Sequence, residues 1–300
     1  MTTRQTWIAA ALWFVLCAPV LDGKADRAAV AIGRGNACFQ QGDFDAAIKA
    51  YSRAIRHDPK NTTVYCQRGY AHEQKGRLKK AERNYTKAIR NDPACFSAYG
   101  LRALLRYHRG YLDEAIRDND EVLRTKPDLA LYWFCRGLAH YDKGDLDKAI
   151  ADYSEALRIA PTERDIRYIR AVTHSDKRDF DRAIADFSEL ICTDPRDVKC
   201  FFGRGICYGL KGDFRSAIAD ATAAIRIDPK YEEARLLRGV AHESNGDLQD
   251  AVRDYTRAIR INPESARAYR GRGRVRGMLG QTSKAEKDYA KAKKLGYESE

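Results

Sequence analysis

Apolar and small residues recur along this chain with helical spacing. Two sets follow one another, each at positions i, i+4 and i+7: Tyr65, Gly69 and His72, then Ala81, Tyr85 and Ala88. Residues with this spacing lie on one face of a helix. Gly76 stands between the two sets. The pattern predicts two helices of about a dozen residues, joined by a glycine turn, with small side chains where the axes cross and aromatic rings beside them.

The predicted hairpin recurs every 34 residues. Seven of the eight prolines keep this interval: Pro59, Pro93, Pro127, Pro161, Pro195, Pro229 and Pro263. Because proline cannot continue a helix, the fixed interval indicates one helical unit built repeatedly, with a stop after each copy. A turn glycine keeps the same phase from Gly42 to Gly280, with Arg178 as the exception.

This pattern resembles the tetratricopeptide repeat (TPR) family, to whose signature residues 131–161 are close. The resemblance covers residues 28–299 as eight tandem repeats: 28–61, 62–95, 96–129, 130–163, 164–197, 198–231, 232–265 and 266–299. It implies an all-α fold, a right-handed solenoid of antiparallel helix hairpins whose first helices line a concave groove that binds a peptide. We expect one elongated array, in which each repeat contacts mainly its neighbours.

Repeats five and eight depart from the common pattern. In repeat five, Arg167 replaces an aromatic residue, Arg178 the turn glycine and Leu190 a small residue, so we expect looser or shifted packing there. In repeat eight, Glu286 and Lys293 stand where earlier second helices carry aliphatic residues. We infer that those aliphatic residues pack against the following repeat and that the polar face of repeat eight is a terminal cap.

An arginine stands beside the small residue of every first helix: Arg34, Arg68, Arg102, Arg136, Arg170, Arg204, Arg238 and Arg272. From repeat three onward, the second helix carries an acid at a fixed place: Asp118, Asp152, Asp186, Asp220, Asp254 and Asp288. We predict that the two columns pair, within a repeat or with the next one. Exposed pairs would add only ~0–1 kcal/mol each, so we expect them to determine register more than stability.

The first helices carry a second, unusually apolar face in the middle of the array. Its members are Tyr70, Leu104, Tyr107, Phe134, Leu138, Tyr141, Tyr168, Val172, Phe202, Ile206, Leu236 and Val240. Apolar surface of this extent is typical of an interaction site, and packing between successive first helices is the alternative for about half of these residues. We predict that this face binds a protein or peptide. The lysines and asparagines with which chaperone-binding relatives hold a C-terminal carboxylate are absent.

Near the end of the chain the same face becomes cationic. Arg267, Arg270 and Arg274 lie at positions i, i+3 and i+7, so they share one side of a helix. They are candidates for binding an anionic group, and a ligand that combines apolar side chains with an acidic end would suit the face. A solvated basic helix is the alternative explanation.

A basic module that docks on nucleic acid or acidic membrane lipid is the rival function, since the formal charge is +12. Nucleic acid is the less favoured partner, because many of the cations stand at helix ends, where they complement the helix dipole. No catalytic or nucleotide-binding signature is apparent, and the glycines of residues 271–277 fall inside a predicted helix. We therefore expect a non-catalytic protein without a cofactor.

Histidines and cysteines do not form metal-binding motifs. His72, His140, His174 and His242 share one column but belong to separate repeats, which favours packing over metal binding. Seven cysteines follow residue 25, without a CxxC pair, which is typical of reduced thiols used as small apolar residues. Cys192 with Cys200 is the only disulfide that the predicted helices make conceivable.

The N-terminus has the composition of a targeting segment. A basic start precedes an apolar run over residues 7–21, and small residues follow at Gly23 and Ala25. This predicts a signal peptide over residues 1–25 and export, either periplasmic or secreted. A retained membrane anchor through residues 7–21 is the alternative, although a spanning helix needs ~20 residues. Only in that case do we expect membrane contact.

Overall fold

A computed structural model describes residues 25–297, and within this range it contains sixteen α-helices and no strands. No helix in the described range combines the length and the apolar composition that crossing a membrane requires. The predicted signal peptide, with the alternative anchor at residues 7–21, lies outside the described residues except for Ala25. The chain divides into two compact units, residues 1–162 and 163–300, and this boundary coincides within one residue with the predicted end of repeat four.

The helices of the first unit are α1 Ala25–Gln40, α2 Phe44–His57, α3 Thr62–Gln74, α4 Leu78–Asn91, α5 Phe96–His108, α6 Leu112–Thr125, α7 Ala130–Asp142 and α8 Leu146–Ile159. Those of the second unit are α9 Arg164–Asp176, α10 Phe180–Thr193, α11 Val198–Leu210, α12 Phe214–Ile227, α13 Glu232–Asn245, α14 Leu248–Ile261, α15 Ala266–Met278 and α16 Thr282–Lys294. Odd-numbered helices are the first helices of the predicted repeats. Each packs against the second helix of its own hairpin, and within each unit successive hairpins contact one another. The all-α class and the stack of TPR-type hairpins are confirmed.

The turn between the two helices of a hairpin needs a left-handed residue. Gly76 has φ +68° and Gly144 has φ +83°, a region that glycine enters without a steric penalty. In repeat five the same place is taken by Arg178, whose φ is +65° and which is the one non-glycine residue with positive φ among residues 25–297. The hairpin of repeat five thus keeps the common turn and places the strain of that turn on an arginine.

The two helices of a hairpin approach most closely at a glycine. A Cβ atom on Gly69 would lie 2.6 Å from Cε1 of Tyr85, and one on Gly137 would lie 2.6 Å from Cε1 of Tyr153. Both rings are fully buried. The tyrosine of the second helix therefore occupies the space that a side chain on the first helix would need.

Aliphatic residues of the second helices pack against the next repeat. Ile48 and Ile55 of α2 contact the cluster that contains Val64 of α3, and Val252 of α14 contacts the cluster that contains Val275 of α15. In repeat eight the corresponding Glu286 and Lys293 are exposed on α16. The predicted polar face of the last repeat is confirmed.

All six predicted arginine–aspartate pairs are present, and each lies within one repeat. In each pair the Nε and Nη2 atoms donate to the two carboxylate oxygens at 2.6–2.9 Å. The aspartates are buried: Asp118 is 3% and Asp254 is 3% exposed. The expectation of weak, exposed pairs was therefore wrong, because the helix crossing excludes water from the carboxylates.

Five of these arginines, and Arg68 of repeat two, also bond through Nη1 to the preceding repeat, which the sequence analysis missed. The Nη1 atoms of Arg68, Arg102, Arg136, Arg204, Arg238 and Arg272 donate to Ser52, Thr86, Asp120, Ser188, Thr222 and Thr256 respectively, at 2.6–3.2 Å. One guanidinium thus connects three helices. The acceptors stand 16 residues before their arginine, and they form a column that mixes hydroxyl and carboxylate side chains.

We expect Asp118→Asn to lower the free energy of unfolding by about 2–4 kcal/mol, because it leaves buried cations without their counter-charge. The Asp118 carboxylate accepts hydrogen bonds from Arg102 and, at 2.8 Å, from Nη1 of Arg106. The control is Glu121→Gln on the same helix, whose partner Arg124 is exposed, and its effect should stay within about 0.5 kcal/mol. Urea denaturation followed by circular dichroism measures both. Equal effects would contradict this account of the buried pair.

Two glycines of α15 should respond oppositely to alanine. A Cβ atom on Gly271 would lie 2.6 Å from Cζ of Tyr255, whereas one on Gly277 would meet nothing within 4 Å. Because the Tyr255 ring is 2% exposed and has no room to retreat, we expect Gly271→Ala to destabilise the chain by about 1–3 kcal/mol. Gly277→Ala should stabilise it by up to about 1 kcal/mol through helix propensity. Thermal melts of the two variants check the signs, and stabilisation by both would exclude the close contact at Tyr255.

Candidate binding site

The predicted apolar face separates into packed and open positions. Leu104, Phe134 and Leu138 are buried, and the Phe134 ring lies 5.9 Å from that of Tyr153. The other members are half-buried, except for Val240, which is exposed: Tyr70, Tyr107, Tyr141, Tyr168, Val172, Phe202, Ile206 and Leu236. Tyr70 stacks on Phe39 at 5.4 Å. In the first unit these side chains therefore contribute chiefly to packing.

In the second unit, four of the predicted apolar residues line one cleft of about 380 Å³. Phe202 and Ile206 come from α11, and Leu236 and Val240 from α13. Both pairs have the spacing i, i+4, which places each pair on one face of its helix. Phe202 is held by an edge-on contact with Tyr231, at 5.4 Å between ring centroids. Since Val240 is 45% exposed, the apolar floor of the cleft is open to solvent.

The three predicted arginines of α15 form the opposite wall of the same cleft. Arg267 and Arg270 are exposed. The Arg270 guanidinium lies over the Tyr297 ring at 4.5 Å and donates to its hydroxyl. Arg274 differs, because its Nε and Nη2 atoms donate to the Glu243 carboxylate at 2.5 and 2.8 Å. Arg267 and Arg270 are therefore the better anion-binding candidates.

Glu243 connects Arg274 to the buried end of the cleft. Its Oε2 atom accepts a hydrogen bond from the Tyr255 hydroxyl at 3.0 Å. Burial, followed by the nearby Glu243 carboxylate, raises the pKa of Tyr255, and the bond to Glu243 raises the pKa of Arg274. The Arg274 guanidinium at this end of the cleft therefore already has an acidic partner. Glu233 also lines the cleft and provides an acid at its edge.

Sequence reasoning missed Tyr297, Tyr255 and Glu243 as residues of this site. Tyr297 lies beyond the last helix, where no periodic pattern applies. Tyr255 belongs to the buried aromatic column and also lines the cleft. Glu243 had a detectable signal, because Glu73 occupies the same place in repeat two and likewise accepts a hydrogen bond from its tyrosine, Tyr85, at 2.8 Å.

A second cavity, of about 460 Å³, lies on the first hairpin. Its apolar part includes Val30, which is 73% exposed although the equivalent Val64 is buried. Five basic side chains surround it: Arg27, Arg34, Lys49, Arg53 and His57. This basic cavity is the part of the described structure that best suits the rival hypothesis of anion docking.

The predicted histidine column consists of packing residues. His72, His140 and His174 are buried and His242 is half-buried, each in the first helix of a separate repeat. Within residues 25–297, no three acidic, histidine or cysteine side chains are placed to hold a metal ion. Burial, together with the charges of Arg68, Lys80 and Arg77, lowers the pKa of His72 to about 4, while Asp45 opposes this shift. The glycines of residues 271–277 lie within α15, as predicted.

The structure does not support the disulfide that the sequence made conceivable. Cys192 is exposed and Cys200 is fully buried, and both thiols are free. The thiols that do interact belong to Cys66 of α3 and to Cys95, which precedes α5. The prediction that only Cys192 and Cys200 could pair was wrong, because it considered adjacent helices and overlooked contact between successive first helices.

Family comparisons agree with the repeat pattern. A tetratricopeptide repeat model matches residues 66–130, 168–232, 211–261 and 236–296, which together exceed half of the chain. Two further models, described as TPR repeat and tetratricopeptide repeat, match residues 35–76 and 130–163 respectively. A comparison with curated protein sequences finds no match.

Solved structures with similar folds include three bacterial proteins. A tetratricopeptide repeat protein from Parabacteroides merdae is 21% identical, with a TM-score of 0.57 over 83% of this chain and 98% of its own. The C-terminal part of a TPR repeat-containing protein from Cytophaga hutchinsonii is 14% identical, with a TM-score of 0.69 over 79% and 97%. PilF of Pseudomonas aeruginosa is 15% identical, with a TM-score of 0.58 over 71% and 97%. At these identities the likeness concerns the fold alone.

We expect acid to destabilise the chain partly through His72. The pKa of His72 is near 4 in the folded chain and its ordinary value is 6.5. The stabilisation that the neutral imidazole gives to the folded state is therefore complete above about pH 7 and is lost as the pH falls from 6.5 to 4. His72→Tyr, which installs the residue that Tyr208 provides in repeat six, removes this titration. Between pH 7 and pH 4.5 the wild type should lose about 2 kcal/mol more unfolding free energy than the variant. Urea titrations at both pH values measure this, and parallel losses would contradict it.

Proposed function

Because the chain belongs to the tetratricopeptide repeat family, we propose that it is a scaffold that binds a protein or peptide partner through the cleft of its second unit. Members of this family are typically non-catalytic and generally bind proteins or peptides. One observation carries the choice of site: the open apolar floor at Val240 and the exposed cationic side chain of Arg270 line the same cleft.

The composition of the cleft defines the partner. Phe202, Ile206, Leu236 and Val240 offer contact to an aliphatic or aromatic side chain. Arg267 and Arg270 then attract a carboxylate nearby on the same partner. A volume of about 380 Å³ is near the lower end of the range for ligand pockets. The cleft therefore suits a short apolar and acidic segment of a larger protein.

Export through residues 1–25, with cleavage after Ala25, remains a proposal that rests on the amino-acid pattern alone. It requires that the partner be available outside the cytoplasm. A retained anchor at residues 7–21 would instead hold the scaffold at a membrane, where the same cleft would serve a neighbouring protein.

The test uses random 12-residue peptides displayed on phage and selected against the full chain. We expect enrichment of peptides that combine an apolar residue with Asp or Glu. Val240→Glu and Arg267→Glu should each weaken binding of the enriched peptides at least tenfold, about 1.4 kcal/mol, because one blocks the floor and the other reverses the rim charge. Fluorescence anisotropy with labelled peptides gives the dissociation constants.

Arg257→Glu is the matched control, since Arg257 is exposed on α14 and does not line the cleft. If Arg257→Glu and Arg267→Glu weaken peptide binding equally, the loss of affinity arises from the change in net charge alone. A 20-base-pair DNA duplex tests the rival function. Salt-sensitive duplex binding that is lost in Arg53→Glu and retained in Arg267→Glu would favour anion docking at the first hairpin and contradict the cleft proposal.

A further inference from the structure

Two thiols meet inside the first unit. Cys66 lies on α3 and is fully buried, whereas Cys95 precedes α5 and is half-buried. The two helices contact one another, and the Cys66 thiol hydrogen-bonds to the Cys95 sulfur. The pair therefore consists of a half-buried cysteine and a fully buried one.

Cys95 occupies a position that favours a negative charge. It is the N-cap residue of α5, where its side chain makes no capping hydrogen bond, and in other repeats the N-cap residues Asn61, Asp197 and Ser265 accept hydrogen bonds from the first amides of their helices. This position lies at the positive end of the helix dipole, which stabilises anions. A thiolate at Cys95 is stabilised for the same reason as the carboxylate of Asp197.

The groups around the two thiols also favour a thiolate at Cys95. The hydrogen bond from Cys66, together with the Ala98 amide and Thr62, lowers the pKa of Cys95 to about 6 against the opposing effects of burial and Asp92. The same bond, together with burial, raises the pKa of Cys66. The nearby Cys135 has its pKa raised to about 12 by burial. Of these thiols, Cys95 is thus the one whose surroundings most favour the thiolate.

We propose that Cys66 and Cys95 form a reversible disulfide, in which Cys95 reacts first with a small organic disulfide. The Cys95 thiolate attacks one sulfur of this oxidant, so that a mixed disulfide forms and one thiolate leaves. The Cys66 thiol then loses its proton to that thiolate or to water, and its sulfur attacks the Cys95 sulfur and releases the second thiol. The two protein thiols lose two electrons and two protons in total, and the oxidant becomes two thiols.

The bond would join α3, the first helix of repeat two, to the N-cap of α5, the first helix of repeat three. Cys66 belongs to the column that holds Phe134, Phe202 and Leu236 in later repeats, which is the column of the apolar face. Oxidation would therefore tie two hairpins of the first unit together at that face. In a reducing compartment the same pair would remain two thiols, so the bond would report the redox state around the scaffold.

The test incubates the folded full chain with oxidised glutathione, blocks the remaining thiols with N-ethylmaleimide and maps tryptic peptides by mass spectrometry. We expect a species that links peptide 61–68, which contains Cys66, to peptide 91–102, which contains Cys95. Dithiothreitol should restore both free peptides. In the Cys66→Ala variant the reaction should stop at the mixed disulfide between Cys95 and glutathione. In the Cys95→Ser variant, Cys66 should remain unmodified. Circular dichroism confirms that both variants are folded.

Cys192→Ser is the control, because it removes an exposed thiol and should give the same cross-link as the wild type. Separately, the alkylation rate of Cys95 in Cys66→Ala should rise less with pH between 7 and 9 than that of Cys192. The proposal is overturned if the wild type retains free Cys66 and Cys95 while Cys192 is glutathionylated. It is equally overturned if Cys95 pairs with Cys135.

Discussion

The hairpins of repeats two, four and seven depend on a tyrosine ring that lies against a glycine of the facing helix. A Cβ atom at Gly69, Gly137 or Gly239 would come within 3 Å of that ring, so the distance between the two helices is determined at this point. The neighbouring residues then have little freedom. The arginine directly before the glycine faces the residue directly before the tyrosine, which is Asn84, Asp152 or Asp254.

The arginines extend this constraint from one hairpin to the next. A buried carboxylate is costly unless it is paired and hydrogen-bonded, and the two-point contact from the guanidinium meets that need. The remaining nitrogen bonds to the second helix of the preceding repeat, as Arg102 does to Thr86. Apolar contacts hold successive hairpins together, while these polar bonds define their register.

Much of the fold could be predicted because its determinants recur at a constant interval. The arginine and aspartate columns could be recognised because each keeps one residue type. Ser52, Thr86 and Asp120 each accept a hydrogen bond from the arginine of the following repeat. Because they are three different residue types, their column was not apparent. Contacts outside the period were missed for another reason. Cys66 and Cys95 are 29 residues apart, and their meeting depends on how far the N-cap of α5 lies from the face of α3.

The candidate site was predictable in part. Periodicity placed Phe134 and Val240 on the same face, but it could not show that one is buried and the other open. That difference depends on the size of neighbouring side chains, because Phe134 contacts the Tyr153 ring whereas Val240 borders the arginines of α15. The Arg274–Glu243 pair likewise required the distance between two helices, which the spacing of residues along one helix does not provide.

The three-helix arginine bridge has a consequence for how such a gene can change length. Each arginine needs acceptors 16 positions before and 16 positions after it, and these belong to two different repeats. Within either unit, loss or duplication of a whole 34-residue segment rejoins a complete set of acceptors wherever the break falls. A segment of any other length would place a guanidinium opposite a residue that cannot accept its hydrogen bonds. Recombination can therefore lengthen or shorten the scaffold in whole steps, and intermediate lengths would be selected against.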